Sequence, residues 1–597
     1  MEKQTEKSIS IAVLPFKNIS NSEENNFFCD GITEEIINAF SRIEQLKVTS
    51  RTSSFYFKDH SYSLQEISEK LGVNVILEGS VRVSGNSLRI RAQLIDVIED
   101  TTFWTETWDR KKENLFEIQD EISLIIADKL REHEGHLTIS DQLVNFPTQN
   151  ITAYEHLLKG RYHFYKWNPE DVNIAINEFE KALALDPNLI DALLGSADSY
   201  SFMAVAGFAP REESWMKAVE AMQLAKVLDP NHAGLNLMLS HHAFFTEANF
   251  SSAMKFIQKA VVARPTYAEA HQFLSFFNTL KGDFNKAKEH ILYAKSVDPL
   301  NPETRFFQAN YLYRTNELDE AIKILNALLE ENEKNLPALI VSTYIHIKEN
   351  RLKEAKALIK KTPNEVFTPD EKLGLNTLVD VLTGNQDTEL LKELEEHAND
   401  PLAHHAHSYL FIIYANLGRF DEAFAVLEKI FKDKSSILLL GFSDPLSEPI
   451  KSDPRYAEYH KRIYPEVSDL HKVKRTQSKS FDNANAKAQV ERLQGFIESE
   501  SPFLNPSLSL RSLAEQTDIH PNQLSWLLNE YLGKNFNEFI NQKRVEHFKK
   551  LVVDPSNSHI SLIGLAYESG FNSKTVFNTA FKKVTGMTPK EYQKSQS

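Results

Sequence analysis

The sequence predicts a multidomain chain with an N-terminal α/β domain, a central α-helical superhelix and an all-α C-terminal domain. Three observations predict it. Strand-like and helix-like apolar patterns alternate through residues 8–130. A self-similar unit ending in Asp-Pro or Arg-Pro recurs within residues 151–460. Short amphipathic helices separated by tight turns occur as two successive sets within residues 490–594. At 597 residues the chain is too long for one core, so several domains are expected on length alone.

Residues 9–16 are an apolar, β-branched run bounded by Pro15, Asn18, Asn21 and Ser22, which suits a buried strand. Residues 32–43 have helical apolar spacing, 46–50 are strand-like, and 64–71 carry a short helical pattern that stops at Gly72. Residues 75–83 and 88–98 alternate around Ser84-Gly85-Asn86, the signature of a hairpin. A helical period resumes over 116–130. The segments IAVLPFKNIS, FFCDGITEEIINAFSRI, LKVTSRTSSFYFK, LGVNVILEGSVR, LRIRAQLID and FEIQDEIS follow one another in order. Over residues 9–128 they resemble the TolB-like N-terminal domain found beside bacterial adenylate cyclases, CadC-type regulators and tetratricopeptide proteins. That resemblance implies a fold more than an activity.

The central units are ALALDPN, AKVLDPN, AVVARPT and AKSVDPL, with Pro187, Pro230, Pro265 and Pro299 spaced 43, 35 and 34 residues apart. A period near 34 is that of the tetratricopeptide repeat, a pair of antiparallel helices. Ala175, Ala182, Ala253, Ala260, Ala287 and Ala294 recur where two helices must approach closely. The expected inter-helix turns are at 248–250, 282–284, 316–318, 350–352 and 418–420. The 43-residue step implies an insertion at 206–211, and residues 362–400 carry no assignable repeat. Stacked pairs form a superhelix whose concave face takes a protein or peptide partner.

Residues 465–489 are polar and charged, with the composition of a linker or an exposed helix; their Lys472, Lys474, Arg475 and Lys479 are read as solvated rather than as phosphate contacts. Beyond it, residues 510–516 form one short helix, and His520-Pro521 opens the next, which stops at Gly533. A long helix follows over 536–553. The pattern then repeats, with a helix at 561–569, a turn at Gly570-Phe571-Asn572 and a helix from 573 to 584 ended by Gly586. Two short helices joined by a tight turn are a helix-turn-helix unit, whose second helix enters the major groove.

Ile560, Ala566, Gly570, Phe571, Ser573, Phe577, Phe581, Lys582, Lys583, Gly586, Thr588, Pro589 and Tyr592 resemble the second half of the AraC/XylS DNA-binding domain. The chain departs from that pattern at Trp526 and Asn529, where basic residues are usual, and at Gln593, where Arg is usual. By position, the resemblance implies that His520, Asn522, Gln523 and Trp526 of the first unit read DNA. It implies the same of Ser573, Lys574, Thr575, Asn578 and Thr579 of the second, with Lys582 and Lys583 reaching phosphates. Leu524, Leu527, Leu528, Phe577 and Phe581 are expected to pack inward.

The formal charge of −16 is unevenly spread. From Lys461 onward there are 19 Lys and Arg against 14 Asp and Glu; the remainder holds 48 against 69. The C-terminal end is thus the part suited to approach DNA. One cysteine, Cys29, excludes an internal disulfide and a multi-cysteine zinc site, and Cys29 is expected to be a partly buried helix-start residue. His404, His405 and His407 beside Asp400 lack an evident third ligand and are read as residues of an exposed repeat helix. Trp104 and Trp108 share one strand face and are read as packing residues. No apolar run approaches membrane-spanning length, no signal core opens the chain, and none of the phosphate-loop, HExxH or GxSxG motifs occurs. The expectation is therefore a cytoplasmic, sequence-specific regulator of transcription, with no enzyme activity, cofactor or metal. It would bind double-stranded promoter DNA, use the first two regions as inputs for a partner or signal, and leave a homodimer open. The alternative is a tetratricopeptide scaffold with a degenerate DNA-binding domain.

Overall fold

The computed structural model describes residues 9–596 except 21, 44, 59–60, 112, 114, 145, 167, 206–207, 363–368, 386–388, 401–402, 433–434 and 471–482. The N-terminal domain is a six-stranded sheet. Its strands are β1 (Ile9–Val13), β2 (Lys17–Asn18), β3 (Leu46–Val48), β4 (Val75–Ser84), β5 (Ser87–Asp96) and β6 (Thr101–Lys111), in the order β3-β1-β4-β5-β6 with β2 beside β4. β1 runs parallel to β3 and β4, while β4, β5 and β6 form an antiparallel meander. Helices α1 (Asn26–Phe40), α2 (Arg51–Phe55), α3 (Leu64–Leu71) and α4 (Leu115–Glu134) complete it.

β1 is buried on both faces, as its continuous apolar run requires. Ile11 and Val13 face the core shared by α1 and α4, and Ala12 and Leu14 face α3. The hairpin turns at Gly85-Asn86, where Gly85 has φ +58, a conformation that costs a glycine little. Trp108 lies opposite Ile90 and is buried at 3% exposure, and its ring centroid is 5.8 Å from that of Trp104, so packing is the role of this pair.

The central region is a stack of antiparallel helix pairs. The five expected turns appear as left-handed residues at one equivalent place: Ala248, Gly282, Asn316, Asn350 and Gly418 all have positive φ. The six recurrent alanines are fully buried, because a larger side chain would force the paired helices apart. Helices Ile190–Val205 and Arg211–Leu228 flank the expected insertion, with Pro210 capping the second; Ala206 and Gly207 lie outside the described residues. The stretch without a legible repeat contains helices Pro369–Leu382 and Glu389–His397, joined to the core through Leu375, Leu378, Leu391 and Leu394. Among the described residues no helix is long and apolar enough to cross a membrane.

The first two regions share one core. Tyr154, Leu157 and Leu158 of helix Ile151–Phe164 pack into the cluster formed by α1, α4 and the sheet. The segment after α4 joins the same cluster through buried Leu137, Ile139, Leu143 and Val144. Loops of the superhelix also hold the domain by hydrogen bonds. Ser53 donates to Asp298 at 2.7 Å, and Thr266 donates to the Ser41 carbonyl at 2.9 Å.

His407 corrects one expectation. It is 2% exposed, with Nε2 2.8 Å from the Ala398 carbonyl, so it is a satisfied core histidine rather than an exposed one. His405 sits 3.8 Å from Glu371. Cys29 is 1% exposed, and burial pushes its thiol up to about 12, which leaves it a packing residue within α1.

Candidate nucleic-acid interface

Each short helix of the C-terminal domain is delimited by local chemistry. Ser509 caps helix Leu510–Thr517 through a capping box with Ser512, and Asp518 closes it in the left-handed region at φ +51. His520 accepts from the Asn522 N–H and Pro521 opens helix Pro521–Glu530. Asn535 and Glu538 form the capping box of helix Phe536–Val553. Ser561 caps Leu562–Glu568, and Gly570 at φ +91 makes the turn into Lys574–Thr585, which Gly586 ends at φ +77. Helix Pro589–Gln596 follows.

The long helix serves both units. Its first turns place Phe536, Phe539 and Ile540 in the first core, with Leu513, Leu524, Leu527 and Leu528. Its later turns place Val545 and Phe548 in the second core, with Leu565, Phe571, Phe577 and Phe581. Arg544, between the two sets, is 8% exposed and donates to the Phe503 carbonyl at 2.8 Å and the Asn505 carbonyl at 2.9 Å. Burial holds its guanidinium down at about 10. Gly570 approaches the same backbone, and a Cβ there would lie 2.2 Å from the Phe503 oxygen. These two residues tie the second unit to the loop preceding the first. Sequence periodicity had no signal for Arg544, whose neighbours are set by the fold.

The stretch read as a linker or an exposed helix is helical at its end, where it is packed rather than fully exposed. Helix Asn483–Glu500 begins inside it, and Ala486, Val490, Leu493 and Ile497 recur at helical spacing in the first core. Lys472, Lys474, Arg475 and Lys479 lie outside the described residues.

The two recognition helices present different faces. On Lys574–Thr585 the residues Lys574, Thr575, Asn578, Thr579, Lys582 and Lys583 are exposed, while Phe577 and Phe581 point into the core. Ser573, the N-cap, is half-buried. Lys583 donates to Glu538 at 2.9 Å, and this contact raises its ammonium above the ordinary lysine value. That pair is a surface ion pair.

The first helix, Pro521–Glu530, is engaged within the chain. His520 is exposed. Gln523 donates to Gln489 at 2.7 Å, and Trp526 packs on the first core with its ring 5.6 Å from Tyr531. Asn522 accepts from Arg131 Nη1 at 2.6 Å and from the Ile139 N–H at 3.2 Å, and donates to the Ile139 carbonyl at 3.0 Å. The structure therefore brings the second set of expected DNA-reading residues to an open face. In the first set, Asn522 faces the N-terminal domain, and Gln523 and Trp526 make contacts inside their own unit.

One cluster had no sequence signal. Asp96, His133 and Glu134 place ligand atoms within 4.8 Å of one another. Their contacts are structural: Asp96 accepts from the Ile98 and Glu99 N–H groups, and His133 stacks on Phe103 at 3.8 Å.

Residues 513–595 match the family model described as a helix-turn-helix domain, and residues 6–125 match the second domain of HilA/YgeH-like transcriptional regulators. The chain thus carries an AraC-type helix-turn-helix domain at its C-terminus and a domain similar to that of HilA-like regulators at its N-terminus. The TolB-like resemblance is not what the N-terminal match names. The melibiose operon regulatory protein of Escherichia coli (strain K12) is 25% identical over 125 residues, which is 21% of this chain and 39% of that protein. A putative adenylate cyclase 3 of Rhizobium meliloti (strain 1021) is 36% identical over 185 residues, 31% of each chain. The chain therefore spans well under half the length of either relative. A thermophilic tetratricopeptide repeat protein from Thermus thermophilus aligns with 33% of this chain and 99% of its own, at 20% identity and a TM-score of 0.25.

Proposed function

We propose that this chain is a sequence-specific DNA-binding regulator of transcription. The observation that carries the reading is the face of helix Lys574–Thr585. It presents Lys574, Thr575, Asn578 and Thr579 to solvent from a helix locked by Phe577 and Phe581. Lys donates to the guanine edge and Asn pairs with the adenine edge, so this face carries groups that discriminate bases. Ser573 sits at the N-terminal end, the end that would enter the groove, and Lys582 and Lys583 lie in the last turn of the same helix, where they would meet backbone phosphates. His520 offers a further contact from the first unit.

The match to a helix-turn-helix family model and the likeness to a regulator of an operon support the same reading. The helix pairs and the N-terminal domain are its input side. Their shared core means that a protein or peptide seated on the superhelix would act on both together. Nothing in this reading assigns the chain a chemical reaction or a cofactor, and it places the protein in the cytoplasm with promoter DNA.

Selection from a random-sequence duplex library with the full chain tests the proposal. Enrichment of a common motif, bound at least a hundredfold more tightly than scrambled duplex, is the expected result. Enrichment of no motif, with binding that tracks salt alone, would favour the scaffold alternative.

A further inference from the structure

Asn522 stands on the first recognition helix, yet its side chain is spent inside the molecule. Its Oδ1 accepts two hydrogen bonds, from Arg131 and from the Ile139 backbone, and its Nδ2 donates to the Ile139 carbonyl. An asparagine reads adenine with the same two atoms, one accepting and one donating. Both sets of bonds cannot exist at once.

The contact is wider than one residue. Asp128 of α4 accepts from Arg511 at 2.9 Å, and Glu132 accepts from the Leu510 N–H at 2.7 Å, at the start of the positioning helix. The His133 carbonyl accepts from Asn535 at 2.7 Å, at the cap of the long helix. Gly135, at φ +129, lets the chain pass so close that a Cβ there would lie 3.1 Å from Asn529 Oδ1. Arg131 is 1% exposed, with Asp128 at 2.5 Å as its other partner. Ile139 is buried in the N-terminal core, so the backbone that holds Asn522 is anchored to that domain.

We infer that the N-terminal domain masks the first helix-turn-helix unit through α4 and the segment after it, and that this unit reads DNA only when α4 lets go. The inference rests on the DNA-binding reading above. It gives the chain two states: one in which only the open face of Lys574–Thr585 meets DNA, and one in which both recognition helices do. Because α4 shares its core with helix Ile151–Phe164, a partner that shifts the first helix pair is placed to drive the exchange. A ligand shifts such an equilibrium only by its differential affinity for the two states.

The test uses the full chain and its Asp128→Asn/Glu132→Gln variant, which weakens the docking contacts and leaves every residue assigned to DNA intact. The probe is a duplex enriched from a random library by the variant. The variant should protect two half-sites one helical turn apart in a nuclease footprint. The wild type should protect one and bind about tenfold more weakly. Amide hydrogen exchange supplies a second readout on the wild type alone. Residues 128–140 and 520–530 should be protected without DNA, and saturating duplex should accelerate exchange in 128–140. Equal affinity and equal footprints for the two proteins would overturn the inference, as would fast exchange in 128–140 without DNA. If neither protein binds any duplex while exchange still reports the docked contact, the DNA-binding reading itself fails and the inference falls with it.

Discussion

Phe581 meets Phe548 edge-on, with ring centroids 5.3 Å apart and planes at 77°, and both rings are fully buried. One comes from the second recognition helix and the other from the long helix that spans both units. The orientation of the exposed face proposed to read DNA therefore rests on an aromatic contact. Phe571→Ala and Phe581→Ala should each destabilise the second unit by about 3–5 kcal/mol, since each removes a ring from a closed core. Hydrogen exchange across residues 560–592 of the full chain measures this. Unchanged protection there would mean that the rings do not hold the unit.

Gly570 combines a left-handed φ of +91 with a close approach to the Phe503 backbone. Gly570→Ala would meet both the strain and the clash. A loss of more than about 1 kcal/mol is expected, because alanine is incompatible with the native conformation here. Gly586, also at positive φ, has no neighbour in the path of a Cβ, so Gly586→Ala should cost less. Comparing the two variants by hydrogen exchange separates strain from crowding, and equal costs would remove the role given to the Phe503 contact.

Burial pushes the Glu35 carboxyl up to about 7 against the pull of Arg161, from an ordinary value of 4.5. The folded chain thus holds this proton more tightly than the unfolded chain. The resulting stability is complete below about pH 4.5 and is lost as pH rises through about 7. Glu35→Gln removes that dependence. The variant should gain on wild type in thermal unfolding as pH rises across this window, and a difference that stays constant with pH would contradict the assignment.

Much of this architecture was legible in the sequence, and the reason is local. The repeat turns were readable because each needs a left-handed residue at one fixed offset, supplied by Gly282, Asn316, Asn350 or Gly418. Helix 64–71 was readable because Gly72 ends it in the left-handed region. Residues 362–400 keep the spacing of the other units, with Gly384 left-handed at φ +100 between Asn350 and Gly418, but were not readable as repeats because Glu389 stands where the neighbouring units have Ala355 and Ala423. The end of the stretch at 465–489 looked polar because only every third or fourth residue of helix Asn483–Glu500 faces the core, Ala486 within the stretch and Val490 and Leu493 just beyond it. The contact between Arg131 and Asn522 joins residues 391 apart. No period or motif encodes it, so the first unit read as open from sequence and is engaged in the structure.

Lys583 shares its charge with Glu538, whereas Lys574 is exposed at the N-terminal end of the helix, the end proposed to enter the groove. Lys583→Ala should weaken all duplexes alike and make the salt dependence of binding shallower, because one fewer counterion is released. Titrations at several salt concentrations check this. A changed base preference with an intact salt slope would reverse the roles given to the two lysines.

The central claim is that helix Lys574–Thr585 reads bases, and the most direct measurement is the affinity of full-length Lys574→Ala for its enriched duplex and for single-base variants of it. The account predicts a loss of about 1–3 kcal/mol on the enriched duplex, with discrimination relaxed at one or two positions only. An unchanged preference at every position, with affinity either kept or lowered uniformly, would contradict it.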